Sequence, residues 1–498
     1  MTRLSNVGQR LSQFQVGKFR YNSPWTQVAL VGFVCFCSVG MFSAISNLGA
    51  GGTQDVTTSN ISNGVLYGVF AISGFFAGSI NNVLGPRLTL SIGTMGYSLY
   101  LGSLWAFQVH GSKAFLIAAG GILGFTAALL WSAQGAIMLS YPMEKDKGRS
   151  FSLFWTIFSM GGVVGSGITL ALEAKQSAGG AVSTGVYLAF IIIMLTAIFS
   201  SWLILPPNYV VRGDGTVVEL QAALSVARET KEFFKLFKDW RMLALFPMFF
   251  VSNYFYAYQA SIISAMFVPR ARALASLVTN VGAVIGAILI GLLLDMLPGN
   301  RRKRTLITFF ILVLGQAVMW GSGIAWQRQW ERKEHGGPAK GLQMDWDTGK
   351  APGIFCLLLG YYLVDAAYQG LAYYIMGSIT NDSFRLARMT GYYKGVQSAG
   401  AAVSYGMDAV HTPYLTSVIV VFCMIMFTFI TTFPVVWVTR CSDEEKEQKP
   451  EHHVWDLPAA ADGHRPSIAV PGAAEIERQI SRKGSMSKDE HVHREDTV

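Results

Sequence analysis

Of the 498 residues, 51% are hydrophobic and only 14% are charged, where an ordinary soluble protein carries about a quarter charged residues. The shortfall is concentrated in runs of roughly 20 apolar residues, each long enough to cross a bilayer, which excludes a soluble globular chain and a largely disordered one. The formal charge of +9 does not point to nucleic acid, because most basic residues outside the C-terminal tail lie in short connections between apolar runs, where they set membrane orientation.

Residues 1–27 are polar and basic and lack the apolar core and small-residue cleavage site of a secretory signal, so they read as a cytoplasmic lead-in. Twelve spans are predicted next: 28–48, 64–81, 88–109, 114–140, 151–172, 183–205, 242–266, 274–294, 305–324, 352–375, 391–410 and 414–438. The expected fold class is an all-α polytopic membrane protein with twelve transmembrane helices in two pseudo-symmetric six-helix halves. Those halves cover 28–205 and 242–438, joined by a central connection over 206–241 and followed by a disordered tail over 439–498. With the N-terminus inside, the connections on that side carry 20 lysines and arginines against 9 on the other, which places both termini in the cytoplasm. Plasma membrane and endomembrane are not distinguished.

The central connection opens with Pro206-Pro207 and closes on Phe233, Phe234, Leu236 and Phe237 among lysines. Such a stretch suits either the membrane surface or a linker helix packed on the bundle. Cys35, Cys37, Cys356 and Cys423 lie inside apolar runs, which does not indicate a disulfide framework, and the Cys35-x-Cys37 pair reads as buried free thiols rather than a soft-metal site.

A repeat supports the division into halves. Between spans two and three the chain reads Gly78-Ser-Ile-Asn-Asn82-Val-Leu-Gly85-Pro-Arg87, and between spans eight and nine Gly291-Leu-Leu-Leu-Asp295-Met-Leu-Pro-Gly299-Asn-Arg301. Glycine lets two helices approach, Asn82 or Asp295 can cap the next helix, and Arg87 or Arg301 can anchor the loop at an anionic cytoplasmic face.

These two loops resemble the signature loop of the major facilitator superfamily, which joins the second and third helices and often recurs between the eighth and ninth. Asn82 departs from the usual aspartate, while Arg87, Asp295 and Arg301 match by position. A narrower resemblance rests on Tyr21-Asn-Ser-Pro24, Leu130-Trp131-Ser-Ala-Gln134-Gly135, Tyr141-Pro142, Phe154-Trp155, Asp214-Gly-Thr216, Asn253-Tyr-Phe-Tyr256 and Tyr392-Tyr393-Lys394-Gly395-Val-Gln397. These are similar to fungal members of the uncoordinated-ninety-three branch. The resemblance implies two halves rocking around a central cavity, and either transport or, as for animal members of the branch, regulation or escort of another membrane protein.

Ionisable residues inside the spans are few, and each costs about 2.5 to 3.5 kcal/mol near the bilayer centre on insertion scales. Asp365 in span ten and Lys394 in span eleven are the coupling candidates, either titrating during transport or neutralising each other as a static pair. Helical spacing places Tyr361 or Tyr362, Asp365, Gln369 and Tyr373 on one stripe, Lys394, Gln397, Ser404 and Asp408 on a second, and Ser252, Asn253, Tyr256 and Gln259 on a third. Such stripes must face protein or water. The more apolar first half offers Asn47, Trp131, Gln134 and Trp155.

No enzyme constellation, metal site or cofactor motif is found. The expected partners are the lipid bilayer, a small-molecule solute with or without protons, or a membrane protein, and not nucleic acid. Asn60-Ile-Ser62 is a glycosylation sequon in a short outer connection, and Ser481 and Ser485 in the tail follow basic residues in the manner of kinase sites.

Overall fold

The computed structural model describes residues 14–16, 19–48, 56–143, 146–173, 183–216, 218, 231–329, 344–380 and 382–438. The tail over 439–498, with Ser481 and Ser485, lies outside the described residues. The first half comprises α1 (Pro24–Ser46), α2 (Val56–Leu84), α3 (Pro86–His110), α4 (Lys113–Ser140), α5 (Lys147–Glu173) and α6 (Thr184–Ser200). The second comprises α7 in two pieces (Trp240–Val251 and Tyr256–Met266), α8 (Pro269–Met296), α9 (Arg301–Gln327), α10 (Ala351–Ile379), α11 (Ser383–Ala409) and α12 (Tyr414–Trp437).

Among the described residues, nine helices are long and apolar enough to cross a membrane on length and composition alone. The other three are α3, the interrupted α7 and α11. The polar α11 is buried without a break from Leu386 to Ser398, so its neighbours are protein rather than lipid, as a polar spanning helix requires.

Two boundaries differ most from the expected ones. α2 begins at Val56 and α11 at Ser383, each eight residues before the predicted start. Hydropathy ends where side chains turn polar, but these helices continue because their polar ends pack on each other across the halves. Asn60 therefore lies on α2 and not in an outer connection, and its amide nitrogen donates to Asp408 Oδ2 at 3.2 Å. The sequon is part of a helix contact, where a loop acceptor site was expected.

The halves meet along α2 against α11 and α5 against α8. At the end bearing the central connection, small residues bring backbones together. A Cβ added to Gly74 would sit 2.6 Å from the Cα of Gly395, and one added to Gly391 would sit 2.7 Å from the Gly74 carbonyl oxygen. Gly78 faces the Ala387–Arg388 backbone, Gly135 faces Thr390, and Gly291 faces Ser152. At the opposite end the cross-half contacts are hydrogen bonds: Asn60 to Asp408, Ser166 Oγ to Ser276 Oγ at 2.7 Å, and Asn47 to Thr279 at 3.4 Å.

The repeated loops behave as symmetric counterparts. Asn82 donates to the Phe384 carbonyl at the start of α11, and the Asp295 carboxylate accepts the Arg149 backbone N–H at the start of α5. Each copy thus reaches the N-terminus of a helix in the opposite half, where capping of its own following helix was expected. The arginines also differ from expectation. Arg87 Nε donates to the Ile204 carbonyl just after α6. Arg301, 3% exposed, lies beneath the Tyr374 ring at 5.2 Å. Arg301 is buried and so does not reach lipid headgroups, while the half-buried Arg87 binds the end of α6. Gly85 (φ 79°) supplies the left-handed turn before Pro86 opens α3.

Of the two settings open to the stretch near 235, packing on the bundle is the one observed. Phe233 and Leu236 are buried, with Phe233 against Phe75 and Phe76 of α2, and Phe237 against Tyr392 of α11 at 5.2 Å. Phe234 remains 54% exposed. Asp239 closes the segment by capping α7 and accepting from both Arg241 and Arg385. Partial burial pushes its carboxyl up, but the hydrogen bonds from Arg241 and the nearby Arg385 guanidinium outweigh that and hold it below the usual carboxylate range.

Residues 205–220 and the N-terminal residues up to Thr26 belong to a separate compact unit. Within it, β1 (Gln15–Val16) pairs antiparallel with β2 (Phe19–Arg20). Val211 N–H donates to the Asn22 carbonyl, and Asp214 Oδ1 accepts from the Thr216 N–H and hydroxyl around Gly215 (φ 86°). The Asp214-Gly215-Thr216 tripeptide is thus an Asx-type turn.

Gly74→Leu is expected to force α2 from α11 and lower stability by about 1 to 3 kcal/mol, whereas Gly68→Leu, at a site with nothing within 4 Å, leaves it near wild type. A cysteine introduced at Ala387 should react with a polar maleimide faster in the Gly74→Leu background. Equal reactivity in both backgrounds refutes the close glycine contact as the closure at this end.

Candidate functional site

Two helices lose regular geometry at matching places. α1 contains a π turn at Phe36–Gly40, and α7 stops at Val251 and resumes at Tyr256. The α7 break follows Pro247 and is bridged by three-residue turns, Tyr254 N–H to Val251 O at 2.9 Å and Tyr256 N–H to Asn253 O at 3.3 Å. The π turn of α1 sits where Gly40 meets Gly161 of α5, a Cβ there falling 2.8 Å from the Gly161 Cα. In secondary transporters built from repeats, interrupted helices at corresponding positions of the repeats mark midplane binding sites.

Both interruptions border the same cavity, which has two chambers of about 100 Å³ each. The chambers share Phe42, Ser43, Tyr67, Trp155, Phe158 and Tyr256. The first is also lined by Tyr97, Trp131, Asn253, Gln369, Lys394 and Gln397, and the second by Asn47, Asn63, Asn280, Tyr362, Asp365 and Tyr405. Non-helical backbone at this depth is tolerated because protein and cavity surround it.

The two ionisable candidates are buried, Asp365 at 6% and Lys394 at 3% exposure. They make no direct ion pair; two amides join them. Gln369 Nε2 donates to Asp365 Oδ2 at 3.0 Å, Gln397 Nε2 donates to Gln369 Oε1 at 3.1 Å, and Lys394 Nζ donates to Gln397 Oε1 at 2.7 Å. Within each helix the charge and its glutamine lie about one turn apart, so α10 and α11 each bring a preformed pair and only the Gln397–Gln369 bond crosses between them. The α7 break supplies the flanking partners. Ser252 Oγ accepts from Gln397 Nε2 at 2.7 Å, and Tyr256 hydroxyl donates to Asp365 Oδ2 at 3.1 Å. The Lys394 ammonium also lies over Trp131 at 4.3 Å, Tyr393 at 4.8 Å and Tyr373 at 5.4 Å.

The cavity gathers Asn47, Trp131, Trp155, Asn253, Tyr256, Asp365, Gln369, Lys394 and Gln397 from the residues singled out by sequence. Asn47 accepts from the Tyr362 hydroxyl at 3.0 Å. Four others are placed elsewhere. Tyr361 stacks on Trp320 at 4.3 Å on the α9 side, so its neighbour Tyr362 is the tyrosine of the main cavity. Gln134 is buried with its amide toward Met138, and Gln259 is buried within α7; neither lines the two chambers. Tyr373 supports the Lys394 cage without lining either chamber. Sequence reasoning missed Phe42, Tyr67, Tyr97, Phe158, Asn63 and Asn280. The rings carry no polar contrast in an apolar helix, and the two asparagines each fell at or beside an expected span end or in a helix with no matching polar stripe.

A family model described as "Ion channel regulatory protein UNC-93" matches residues 57–320. UNC93-like protein 1 of Arabidopsis thaliana is 36% identical over 436 residues, covering 87% of this chain and 94% of its own. An UNC93-like protein of Schizosaccharomyces pombe is 36% identical over 428 residues, covering 85% and 84%. Among solved structures, the xylose transporter XylE from E. coli superposes with a TM-score of 0.57 at 12% identity, over 85% of this chain and 99% of that one. The human organic anion transporter MFSD10 gives 0.55 at 11% identity, over 83% and 99%. At such identity the structures share the fold alone, that of the major facilitator superfamily.

Proposed function

The chain belongs to the UNC-93 family and is an integral multi-pass membrane protein with the major facilitator fold, and we propose that it is a transporter moving a small solute by alternating access. The observation that carries this reading is the coincidence, at one cavity between the halves, of the two helix interruptions with the Asp365–Gln369–Gln397–Lys394 chain. A purely structural bundle has no need to concentrate buried charge, amides and irregular backbone at a single internal space. The close glycine contacts lie at one end, together with the two loop hydrogen bonds, and a separate set of hydrogen bonds joins the halves at the other, which supplies separable contacts for a rocking motion.

A second reading is favoured by the family's description as a channel regulator: the bundle would then bind another membrane protein and carry no solute. It leaves the cavity's polar chain without a task.

Asp365 is the coupling carboxylate in this proposal. It lines the second chamber with Tyr362, shares a smaller pocket with Tyr368, and accepts from Tyr256 and Gln369, with Lys394 two amides away. Taking up a proton there removes the negative end of the chain and alters what the cavity holds. Asp365→Asn is expected to retain folding and solute binding while abolishing the pH dependence of uptake by reconstituted vesicles. A stable Asp365→Asn protein that transports with unchanged pH dependence rules out the coupling role. A loss of about 3 to 5 kcal/mol of stability, partly rescued by Lys394→Met, makes the carboxylate a static counter-charge instead.

The distribution of 20 against 9 basic residues supports cytoplasmic termini and a cytoplasmic central connection. Tags inserted in 206–241 and after residue 440 are expected to resist external protease in intact cells, and a tag in 325–351 to be cleaved. Cleavage in the central connection reverses the orientation.

A further inference from the structure

The first chamber contains one charged side chain among its lining residues, Lys394. Its ammonium has three donors, and among the described residues it makes one hydrogen bond, to Gln397 Oε1. The rings of Trp131, Tyr393 and Tyr373 hold the cation in place without neutralising it, and Asp365 is held off by the two intervening glutamines. A positive charge is therefore fixed at the chamber wall with hydrogen-bonding capacity to spare.

The adjoining wall is aromatic. Phe158 stands edge-on to Trp131 at 5.7 Å and 89° and to Trp155 at 5.3 Å and 86°, while Trp131 and Trp155 lie 6.1 Å apart. These rings offer flat and perpendicular apolar faces beside the ammonium. A sugar-like ligand would need several free donors and acceptors, but the Gln369 and Gln397 amides here are already bonded to each other and to the two charges. A cationic ligand would meet Lys394 at close range with no carboxylate in the same chamber.

We propose that this chamber binds an organic anion with a flat apolar body, its carboxylate paired with Lys394 and its ring system against Trp131, Trp155 and Phe158. The assignment deepens the transport reading and rests on it for its physiological meaning, but the binding step is measured independently. The anion supplies an acceptor that the buried ammonium lacks, where a charge-assisted hydrogen bond is strong, and the rings add contact area in the manner of aromatic pairs.

The test uses the full-length protein in lipid nanodiscs and three matched probe sets: indole-3-acetate and 2-naphthoate, their neutral amides, and the amines tryptamine and 2-naphthylmethylamine. Thermal midpoint and tryptophan fluorescence report binding. The carboxylates are expected to bind at least about tenfold more tightly than the amides, with the amines weakest. Lys394→Arg should keep the carboxylate preference and Lys394→Met should remove it. If Lys394→Met does not fold, the comparison of carboxylate with amide on the wild-type protein decides alone. Equal binding of the three classes, binding by none of them, or a preference that survives Lys394→Met overturns the anion site. Counterflow of labelled 2-naphthoate in proteoliposomes separates the two levels. Carboxylate-selective binding without counterflow retains the site and removes the transport reading, while uptake of neutral or cationic solutes without carboxylate preference does the reverse.

Discussion

Two opposite charges buried in the same membrane-spanning bundle, with two glutamine amides between them, set the terms for the centre of this molecule. Each amide presents its nitrogen toward Asp365 and its oxygen toward Lys394, so both dipoles point the same way and each hydrogen bond polarises the next. Desolvating an ion costs several kcal/mol even after relaxation. A direct ion pair would offset that cost at one contact but leave no charge facing the cavity. The amide chain instead spreads the compensation over α10 and α11 and leaves both ends at chamber walls.

That arrangement constrains the helices around it. α10 and α11 must hold a register that keeps Gln369 and Gln397 at 3.1 Å, and α7 must break where it does, because Ser252, Asn253 and Tyr256 complete the bonding of the same amides and carboxylate. The first half contributes little polarity and much aromatic surface. α4 and α5 bring Trp131, Trp155 and Phe158, and α1 brings Phe42 beside its π turn. The division of labour is therefore between a charged, hydrogen-bonded wall and a stacked, apolar one, with the glycine contacts of α2 and α11 holding the two walls close at one end.

Much of this was legible in the sequence, for physical reasons that also explain what was not. Apolar runs bounded by basic connections are enough to place twelve helices, and polar residues stand out in apolar spans, which is why Asp365, Gln369, Lys394, Gln397, Asn253 and Tyr256 could be named. The same contrast fails for Tyr67, Tyr97 and Phe158, whose rings are ordinary members of apolar helices until the fold brings them to one space. Stripe reasoning also has limited angular resolution. It left Tyr361 and Tyr362 open, and adjacent residues on a helix differ by about 100°, enough to send one to the α9 side and the other to the cavity. Gln134 and Gln259 show the converse, polar side chains buried between helices outside both chambers. The early starts of α2 and α11 were hidden because Asn60 and Arg385 look like loop residues until each finds a partner, Asp408 and Asp239. The interruption of α7 did leave a signal, Pro247 four residues before its first piece ends at Val251.

The central claim is that Asp365 and Lys394 act as one unit through Gln369 and Gln397, and a double-mutant cycle measures it most directly. Thermal unfolding of the wild-type protein, Asp365→Asn, Lys394→Met and the double variant in one lipid composition should give a coupling of about 0.5 to 3 kcal/mol, which collapses when the cycle is repeated in a Gln397→Leu background. Additive effects of the two substitutions, or a coupling unchanged by Gln397→Leu, would contradict a linked chain and leave two independent buried charges.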